Sequence, residues 1–453
     1  MIKRKADKQI RNFLLNDKRA LLVTGARQVG KTFLIREVGK ECFEHVVEIN
    51  FIEQPEAVGL FEKQNGAKDL LLRLSAFAKK PLVPGKTLIF FDEVQECKEM
   101  VTAIKFLVDE GSYKYVMSGS LLGVELDDLR SVPVGYMDEI EMYPLDLQEF
   151  FEAIGIGADV LAHLRKCFEK KEPADAFIHE KMLEAVRLYL VVGGMPAAVQ
   201  QYLDTNNLRK VYDVQRGIIR TYKRDITKYD RNRKLQIEEI YDLIPPELNA
   251  KNKRFILKNL NEKARFSKYE DSFVWLKDAG VAIPTYNIEE PRVPLLLSRH
   301  RNLFKLFLND VGLLAAMYGG NIQTRLLGKD ANINYGSVFE NLVAQELYAH
   351  GFAEQHALYY FNSKKQGELD FVVTYDGHAL PLEVKSGKCY ERHNALSNVM
   401  NSSEYELPSA YVFCMENVRV NGKVTYFPIY MTAFLEQIQS EESIYQFDLT
   451  GLR

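Results

Sequence analysis

The sequence has few cysteines, no long apolar run and almost no net charge. Its five cysteines are scattered, odd in number and without CxxC spacing, which argues against a disulfide framework and against a zinc knuckle. No apolar run approaches the roughly 18 residues that a membrane-spanning helix needs. The first residues, MIKRKADKQIRN, lack the apolar core of a signal peptide and predict the start of an amphipathic helix. We therefore expect a cytoplasmic protein without a membrane partner.

The composition is that of an ordinary globular protein with more than one domain. The chain has 453 residues, of which 47% are hydrophobic and 27% are charged. A chain of this length is expected to form about two to four domains. The net charge of −3 hides an uneven distribution, because Arg209 to Lys268 hold 17 basic and 8 acidic residues. This stretch is the best candidate for contact with a polyanion such as DNA or RNA, and a solvated helical surface is the alternative.

The motif GARQVGKT at residues 25–32 matches the phosphate-binding pattern GxxxxGK[ST] and follows the apolar run ALLV. In such a loop the glycines let backbone N–H groups face the phosphates, and the next residues form a helix whose positive end lies under the anion. We expect Lys31 to reach the outer phosphates and Thr32 to bind Mg²⁺. The predicted ATP-binding residues are Gly25, Ala26, Arg27, Gln28, Val29, Gly30, Lys31, Thr32 and Phe33.

A second motif, LIFFDEVQ at residues 88–95, places two acids at the end of an apolar strand. Asp92 is expected to hold Mg²⁺ together with Thr32, and Glu93 is expected to activate water for hydrolysis. Two solvated acids after a core strand are common in proteins. Their occurrence in one chain with GARQVGKT favours the catalytic interpretation.

A third predicted strand, residues 114–117, ends in the small residues Ser118, Gly119 and Ser120. In open α/β sheets, ligands bind at the carboxyl ends of the strands. Ser118 or Ser120 is therefore a candidate sensor of the outer phosphate or of the attacking water. A plain turn from strand to helix is the alternative.

The pattern of apolar segments divides the chain into four regions. Up to residue 154, short strands alternate with helices, which predicts an α/β domain with a parallel sheet. Residues 155–231 are expected to form a helical lid, interrupted by VVGGMP at residues 191–196. Three helices (235–244, 253–261, 267–278) and two strands (281–286, 293–297) predict a winged-helix-like region at residues 232–320, used for structure or partner docking rather than base reading. Residues 321–453 form the fourth region.

The fourth region carries a second set of chemically informative residues. A helix at residues 336–350 precedes predicted strands at 357–361, 368–373 and 380–384. Asp370 lies on the second strand, and Glu383 and Lys385 share one face of the third, because side chains alternate along a strand. This set can hold Mg²⁺ or Mn²⁺ and position water against a phosphodiester, with Glu340 of the helix completing the metal shell. An inactive fold of the same shape and a salt-bridged sheet face are the alternatives.

Together, GARQVGKT, LIFFDEVQ, the MSGS turn, EMYPLDLQEF and VVGGMP resemble the bacterial and archaeal AAA-type ATPases (AAA_14-like) that carry a C-terminal DUF4143 domain. The resemblance covers essentially the whole chain, and the order of the motifs is more specific than any one of them. It implies ATP binding. It also implies a C-terminal domain similar to the PD-(D/E)xK restriction-endonuclease-like fold, which fits Glu340, Asp370, Glu383 and Lys385.

One position departs from that family. Members often have a basic residue after the glycine that precedes the YPL motif, and this chain has Tyr136 there. If that basic residue touches nucleotide, hydrolysis in this chain must use another arginine, be slow or depend on a partner. Arg130 is the nearest substitute, and Arg130, Arg220 and Arg224 are the candidates for an arginine supplied to a neighbouring copy.

The sequence thus predicts a Mg²⁺-dependent ATPase whose nucleotide state drives rearrangement between the N-terminal domain and a C-terminal nuclease-like domain. A second hypothesis adds metal-dependent cleavage of DNA or RNA by Asp370, Glu383 and Lys385, with the basic stretch guiding the strand. A third is a nucleotide-controlled switch whose C-terminal domain binds a protein or nucleic-acid partner and cuts nothing. A kinase lacks support because no acceptor-site residues can be named. Assembly into a homo-oligomer stays open.

Overall fold

A parallel sheet of five strands forms the centre of the N-terminal part. The computed structural model describes residues 2–63, 65–119, 135–229, 233–250, 252–260, 266–328, 336–387 and 389–437. The strands are β1 (Ala20–Thr24), β2 (His45–Asn50), β3 (Thr87–Asp92), β4 (Lys114–Ser118) and β5 (Met137–Glu141). Their order is β2-β3-β4-β1-β5, and each neighbouring pair is parallel. The predicted parallel α/β sheet is confirmed.

Helices cover both faces of this sheet, because successive side chains of a strand point to opposite sides. They are α1 (Lys5–Asn16), α2 (Lys31–Cys42), α3 (Ala67–Phe77) and α4 (Lys98–Glu110). Val23 and Phe90 point to the face covered by α1 and α2. Leu22 and Phe91 point to the face covered by α3 and α4. All four side chains are buried, so the strands are hydrophobic without alternation, as expected for a parallel sheet.

The segment after β5 enters a helical region through a capping box. The Asp146 carboxylate accepts a hydrogen bond from the Glu149 N–H at 2.8 Å, and the Glu149 carboxylate accepts one from the Asp146 N–H at 3.3 Å. This pair satisfies N–H groups at the start of the first helix. The region consists of α5 (Leu147–Ala153), α6 (Ala158–Lys170), α7 (Ala176–Val192), α8 (Pro196–Thr205) and α9 (Leu208–Tyr229).

The VVGGMP turn joins α7 to α8 and needs its glycines for close packing. Gly193 has a φ of +71°, and a Cβ on Gly194 would lie 2.0 Å from the carbonyl oxygen of Leu145. The buried Asp310 carboxylate accepts a hydrogen bond from the Gly194 N–H at 2.6 Å. The turn therefore connects the first domain's exit segment with a residue far along the chain.

A second sheet of eight strands extends from the expected winged-helix region into the C-terminal region. Its order is β12-β13-β11-β10-β9-β8-β6-β7. The strands are β6 (Ala282–Ile288), β7 (Arg299–Leu308), β8 (Leu358–Ser363), β9 (Gly367–Tyr375), β10 (His378–Val384), β11 (Ala410–Cys414), β12 (Arg419–Asn421) and β13 (Val424–Pro428). The remaining helices are α10 (Lys234–Asn249), α11 (Phe266–Asp278), α12 (Val311–Tyr318), α13 (Gly320–Leu327), α14 (Gly336–Ala349) and α15 (Asn394–Met400). The C-terminal helix and the three strands predicted after it are confirmed.

The winged-helix interpretation is not confirmed. Residues 293–297, predicted as a strand, lie in a proline-containing turn and a 3₁₀ segment, Leu295–Ser298, and the strand begins at Arg299 instead. Within residues 252–260, where a helix was expected, only a 3₁₀ turn is present, because the Phe255 N–H bonds to the Phe304 carbonyl of β7. In addition, β6 pairs with both β7 and β8, so the hairpin belongs to the large sheet, which crosses the expected boundary at residue 320.

All five cysteines are free, and three of them are buried. Among the described residues, no single helix is long and apolar enough to cross a membrane, although α7 and α8 pass that test as a pair bent by 118°.

Candidate functional site

The phosphate loop lies between β1 and α2 and bends against the segment after β5. Three of its residues have positive φ: Gly25 at +123°, Gln28 at +67° and Gly30 at +97°. A Cβ on Gly25 would lie 2.1 Å from the carbonyl oxygen of Met142. Only glycine fits at this position, because both the backbone conformation and the space exclude a side chain.

Lys31, the loop lysine, is folded into the loop. Its Nζ donates hydrogen bonds to the carbonyl oxygens of Gly25 at 2.8 Å and Ala26 at 2.9 Å. Burial lowers its pKa to about 8, against the opposing effect of the Glu93 and Asp92 carboxylates. A phosphate group would supply the negative charge that two neutral carbonyls cannot, so the ammonium is placed to bind an anion at the mouth of the loop.

Asp92 lies at the centre of a row of polar side chains at the carboxyl edge of the sheet. Strand register aligns Asn50 and Ser118 with it on either side. Its carboxylate accepts hydrogen bonds from Asn50 Nδ2 at 3.0 Å and from the Ser118 hydroxyl, and it lies 3.1–3.2 Å from Thr32 Oγ1. Burial, with the nearby Glu93 charge, raises the pKa of Asp92. The structure thus brings together Thr32, Asp92 and Ser118, as the sequence predicts.

Sequence reasoning missed Asn50. Its only local signal is a polar residue at the end of the apolar strand HVVEIN, and nothing in that pattern shows which strand is its neighbour. Asn50 Oδ1 also accepts from the backbone N–H groups of Ile52 and Glu53 at 3.0 Å each. The turn after β2 therefore holds the amide in place to orient Asp92.

Glu93 is displaced from the row by its backbone. Its φ of +57° is left-handed, and its carboxylate accepts a hydrogen bond from Gln95 Nε2 at 2.6 Å. The side chain is half-buried next to the loop. The Gln95 amide thus contacts the carboxylate that is expected to activate water.

Oxygen donors at this centre fit Mg²⁺. The ion is commonly held by one or two protein oxygens together with substrate phosphates and water. The Thr32 hydroxyl and the Asp92 carboxylate supply such oxygens, and the Asn50 and Ser118 contacts orient the carboxylate as second-layer hydrogen bonds do in metal sites.

The sheet places Tyr136 away from the phosphate loop of this chain. The Tyr136 carbonyl accepts from the Ala20 N–H at 2.9 Å, at the amino end of β1. The loop follows the other end of that strand, about 13 Å away at 3.3 Å per residue. A side chain at position 136 is therefore remote from this chain's own phosphate site. Ser120 and Arg130 lie outside the described residues.

Residues from outside the first domain contact the back of the phosphate loop. The Arg27 guanidinium forms an ion pair with the buried Asp225 of α9, and Tyr222 Oη donates to the Arg27 carbonyl at 3.1 Å. A Cβ on Gly280, in the turn between α11 and β6, would lie 3.1 Å from the Ala26 nitrogen. The loop is thus in direct contact with α9 and with the turn that leads into the second sheet.

The C-terminal acids also come together. Asp370 Oδ2 accepts from the Val384 N–H at 2.8 Å, and Lys385 Nζ lies 2.6 Å from Glu383 Oε2. Burial and the adjacent Asp370 charge raise the pKa of Glu383 to about 8. Glu340 of α14 is buried, and burial followed by the Asp370 charge raises its pKa as well. All four residues singled out from the sequence belong to one cluster, in which Glu340 and Glu383 are buried and the other two are partly exposed.

Two further lysines, which sequence reasoning missed, enter this cluster. Lys305 of β7 is fully buried, with Nζ 2.8 Å from Glu368 Oε1 and 3.9 Å from Glu340 Oε2. Lys253 forms an ion pair with Glu340. Burial alone would lower the pKa of Lys305, but the surrounding carboxylates raise it. The signal for Lys305 was present in NLFKLFL, where a charge interrupts an apolar strand.

We call this group the charge cluster. It contains four carboxylates and three ammonium groups: Glu340, Glu368, Asp370, Glu383, Lys253, Lys305 and Lys385. Within the described parts of the chain, no three His, Cys, Asp or Glu side chains are arranged to hold a metal ion. Lys253 and Lys305 pair with Glu340, and Lys385 pairs with Glu383. A divalent ion held by Glu340, Asp370 and Glu383 stays a prediction.

Three parts of the chain match models of known protein families. Residues 17–151 match the family model AAA_14, an AAA domain. Residues 335–432 match DUF4143, and residues 183–324 match DUF8612, both domains of unknown function. The DUF8612 match crosses the boundary expected near residue 231. No curated protein matches the chain.

Several solved structures are similar at low identity. A Walker-type ATPase of Pyrococcus abyssi is 15% identical, with 70% of this chain and 96% of that chain covered and a TM-score of 0.44. The ORC1 protein of Aeropyrum pernix in complex with DNA is 14% identical, with 72% and 95% covered and a TM-score of 0.28. RuvB of Thermotoga maritima is 17% identical, with 62% and 89% covered and a TM-score of 0.29.

The AAA match and the phosphate-loop geometry together support nucleotide binding at residues 25–33. The chain therefore carries an AAA-type P-loop domain at residues 17–151 and a DUF4143 domain at residues 335–432.

Proposed function

We propose that this protein is a Mg²⁺-dependent ATPase whose nucleotide state is transmitted to its C-terminal part. The observation that carries the proposal is the row of Asn50, Asp92 and Ser118 beside Thr32 at the mouth of the loop. Lys31 would exchange its two carbonyl contacts for the outer phosphates. Bound Mg²⁺ would neutralise phosphate charge, and catalysis would consist mainly of positioning and electrostatic stabilisation.

Glu93 would orient and deprotonate the attacking water after leaving Gln95. Ser118 would keep Asp92 in its ionised, correctly rotated state, because its hydroxyl donates to that carboxylate. The loop contacts Asp225 and Gly280, and through these contacts a change of loop conformation on phosphate binding would displace α9 and the start of the second sheet. A cytoplasmic location and self-assembly stay predictions.

The test is phosphate release by the purified protein with ATP and Mg²⁺. Lys31→Ala and Glu93→Gln should each lower the rate at least 100-fold, a typical loss for a residue acting on the transition state. Lys40→Ala and Glu96→Gln are the matched controls, since both residues are exposed and lie near the same motifs. Equal rates for all five proteins would refute the proposal.

For the C-terminal part, the charge cluster favours a module that binds a partner without cutting it. The resemblance to PD-(D/E)xK nucleases assigns Asp370, Glu383 and Lys385 to a metal-dependent centre. Lys305 and Lys253, however, supply the positive charge that a metal would otherwise provide. We therefore place the nuclease second to a nucleotide-controlled docking domain.

Cleavage assays separate these two functions. Duplex DNA, single-stranded DNA and RNA are incubated with the full chain in Mg²⁺ or Mn²⁺, beside Lys385→Ala and the exposed control Lys364→Ala. The docking function predicts no products from any of the three proteins. Products that are lost in Lys385→Ala and kept in Lys364→Ala would establish the nuclease.

A further inference from the structure

A groove of about 690 Å³ runs between α9 and α10, and none of its lining residues belongs to the proposed ATPase site. One wall is the exposed side of α9, with Arg216, Arg220 and Lys223. The opposite wall comes from α10, including Pro245 and Pro246, and the end of α12 closes the groove. The groove lies in the basic stretch that the sequence singled out.

The cations follow the helix repeat. Arg216, Arg220 and Lys223 are at positions i, i+4 and i+7, so they line one face over about 10 Å of helix length. Lys223 pairs with Asp242 across the groove at 2.5 Å. Arg216 and Arg220 are exposed, and no carboxylate in the described part of the chain forms an ion pair with either. The groove therefore has a net positive charge available to a ligand.

Aromatic rings flank this charge. Tyr212 lies beside the guanidinium groups of Arg209 and Arg216, whose central carbons are 5.6 and 5.8 Å from its ring centre. At the other side, the Tyr318 hydroxyl is held by the Pro245 carbonyl at 3.1 Å and lies 3.1 Å from the Ser337 hydroxyl. The groove thus combines cations with two aromatic side chains along an apolar floor.

We propose that this groove binds a single strand of nucleic acid through its phosphate backbone, with bases stacking on Tyr212 and Tyr318. Arginine forks bind phosphate through two parallel hydrogen bonds, and aromatic faces accept any base. An acidic peptide would use the arginines but leave the rings without a stacking partner. A single strand suits these rings because its bases are unpaired and can stack on aromatic side chains.

The experiment measures fluorescence anisotropy of a labelled 20-nucleotide oligo-dT with the full chain, in the absence of ATP, from 50 to 300 mM salt. Arg216→Ala/Arg220→Ala should weaken binding at least 10-fold at 100 mM salt. It should also reduce the slope of log K against log salt by about 1.4, the counterion release of two phosphate contacts on a single strand. Tyr212→Leu should weaken binding about 10-fold and leave the slope unchanged, because it removes stacking and no charge.

Arg301→Ala/Lys364→Ala, which removes the same charge from exposed positions elsewhere, is the control and should bind as the unaltered chain does. Thermal melts confirm that every variant is folded. The proposal is overturned if the unaltered chain does not bind oligo-dT, if the control loses as much affinity as the groove variant, or if polyglutamate competes as well as the oligonucleotide. Because no ATP is present, these outcomes are independent of the ATPase test.

Discussion

Replacement of Lys305 by methionine is expected to destabilise the protein strongly, although lysine is normally a surface residue. Lys305 is fully buried in β7 and is held by Glu368 and Glu340. Methionine has a similar length and fits an apolar strand, so the substitution removes the charge with little change in volume. Glu340, which is buried, and Glu368, whose side chain is 27% exposed, then lose this ammonium group.

The magnitude follows from the distances. At an effective dielectric constant of about 20, a unit charge 2.8 Å away contributes about 6 kcal/mol and one 3.9 Å away contributes about 4 kcal/mol. The cost of burying the ammonium group, several kcal/mol, offsets much of this attraction. We expect the free energy of unfolding to fall by about 3–5 kcal/mol, the range found when one partner of a buried ion pair is removed.

Urea unfolding at pH 7, followed by circular dichroism, measures this loss. Lys365→Met is the control, because Lys365 lies 2.6 Å from Glu404 but both side chains are exposed, and it should cost at most about 1 kcal/mol. The double variant Lys305→Met/Glu368→Gln should recover part of the loss. A loss below about 1 kcal/mol in Lys305→Met would refute the assignment of Lys305 as the cluster's internal cation.

Three further predictions concern the loop and the interface between domains. Asn50→Ala should lower the rate of phosphate release about 2- to 10-fold, since one hydrogen bond to Asp92 is lost, and an unchanged rate would contradict the orienting role. Gly25→Ala should abolish binding of a fluorescent ATP analogue, because its Cβ would lie 2.1 Å from a backbone oxygen, and unaltered affinity would show that the loop adopts another path. Burial opposes the charged form of His350, but the hydrogen bond with Asp146 outweighs burial, so the pKa of His350 is raised. Charged His350 therefore stabilises the folded protein below about pH 6.5, and this stabilisation is lost as the pH rises through the folded-state pKa. His350→Gln should therefore reduce the difference in unfolding free energy between pH 6 and pH 8.5, and an unchanged difference would exclude His350 as its source.

The phosphate site was predictable because its chemistry is contiguous in the sequence. GARQVGKT holds its glycines, Lys31 and Thr32 within eight residues, and LIFFDEVQ shows the strand and its terminal acid together. The periodicity of the C-terminal strands likewise placed Asp370 and Glu383 on two strands that pair in the structure. In each case the local sequence pattern predicts both the secondary structure and the functional side chain that lies on it.

The rest depends on which distant segments become neighbours. Asn50 contacts Asp92 only because β2 pairs with β3. Tyr136 lies at the end of β1 opposite the phosphate loop only because β5 runs parallel to β1. The hairpin expected as a separate wing joins β8, which starts 70 residues after β6 ends.

By itself, the sequence determined that this protein has a phosphate-loop motif, an acid at the end of a buried strand and a group of acids on C-terminal strands. Only the tertiary structure decided that Lys305 and Lys253 occupy the centre of those acids. The physical reason is that a buried charge is stable only when an opposite charge lies beside it, and the partner is supplied by packing between segments whose pairing no local pattern encodes.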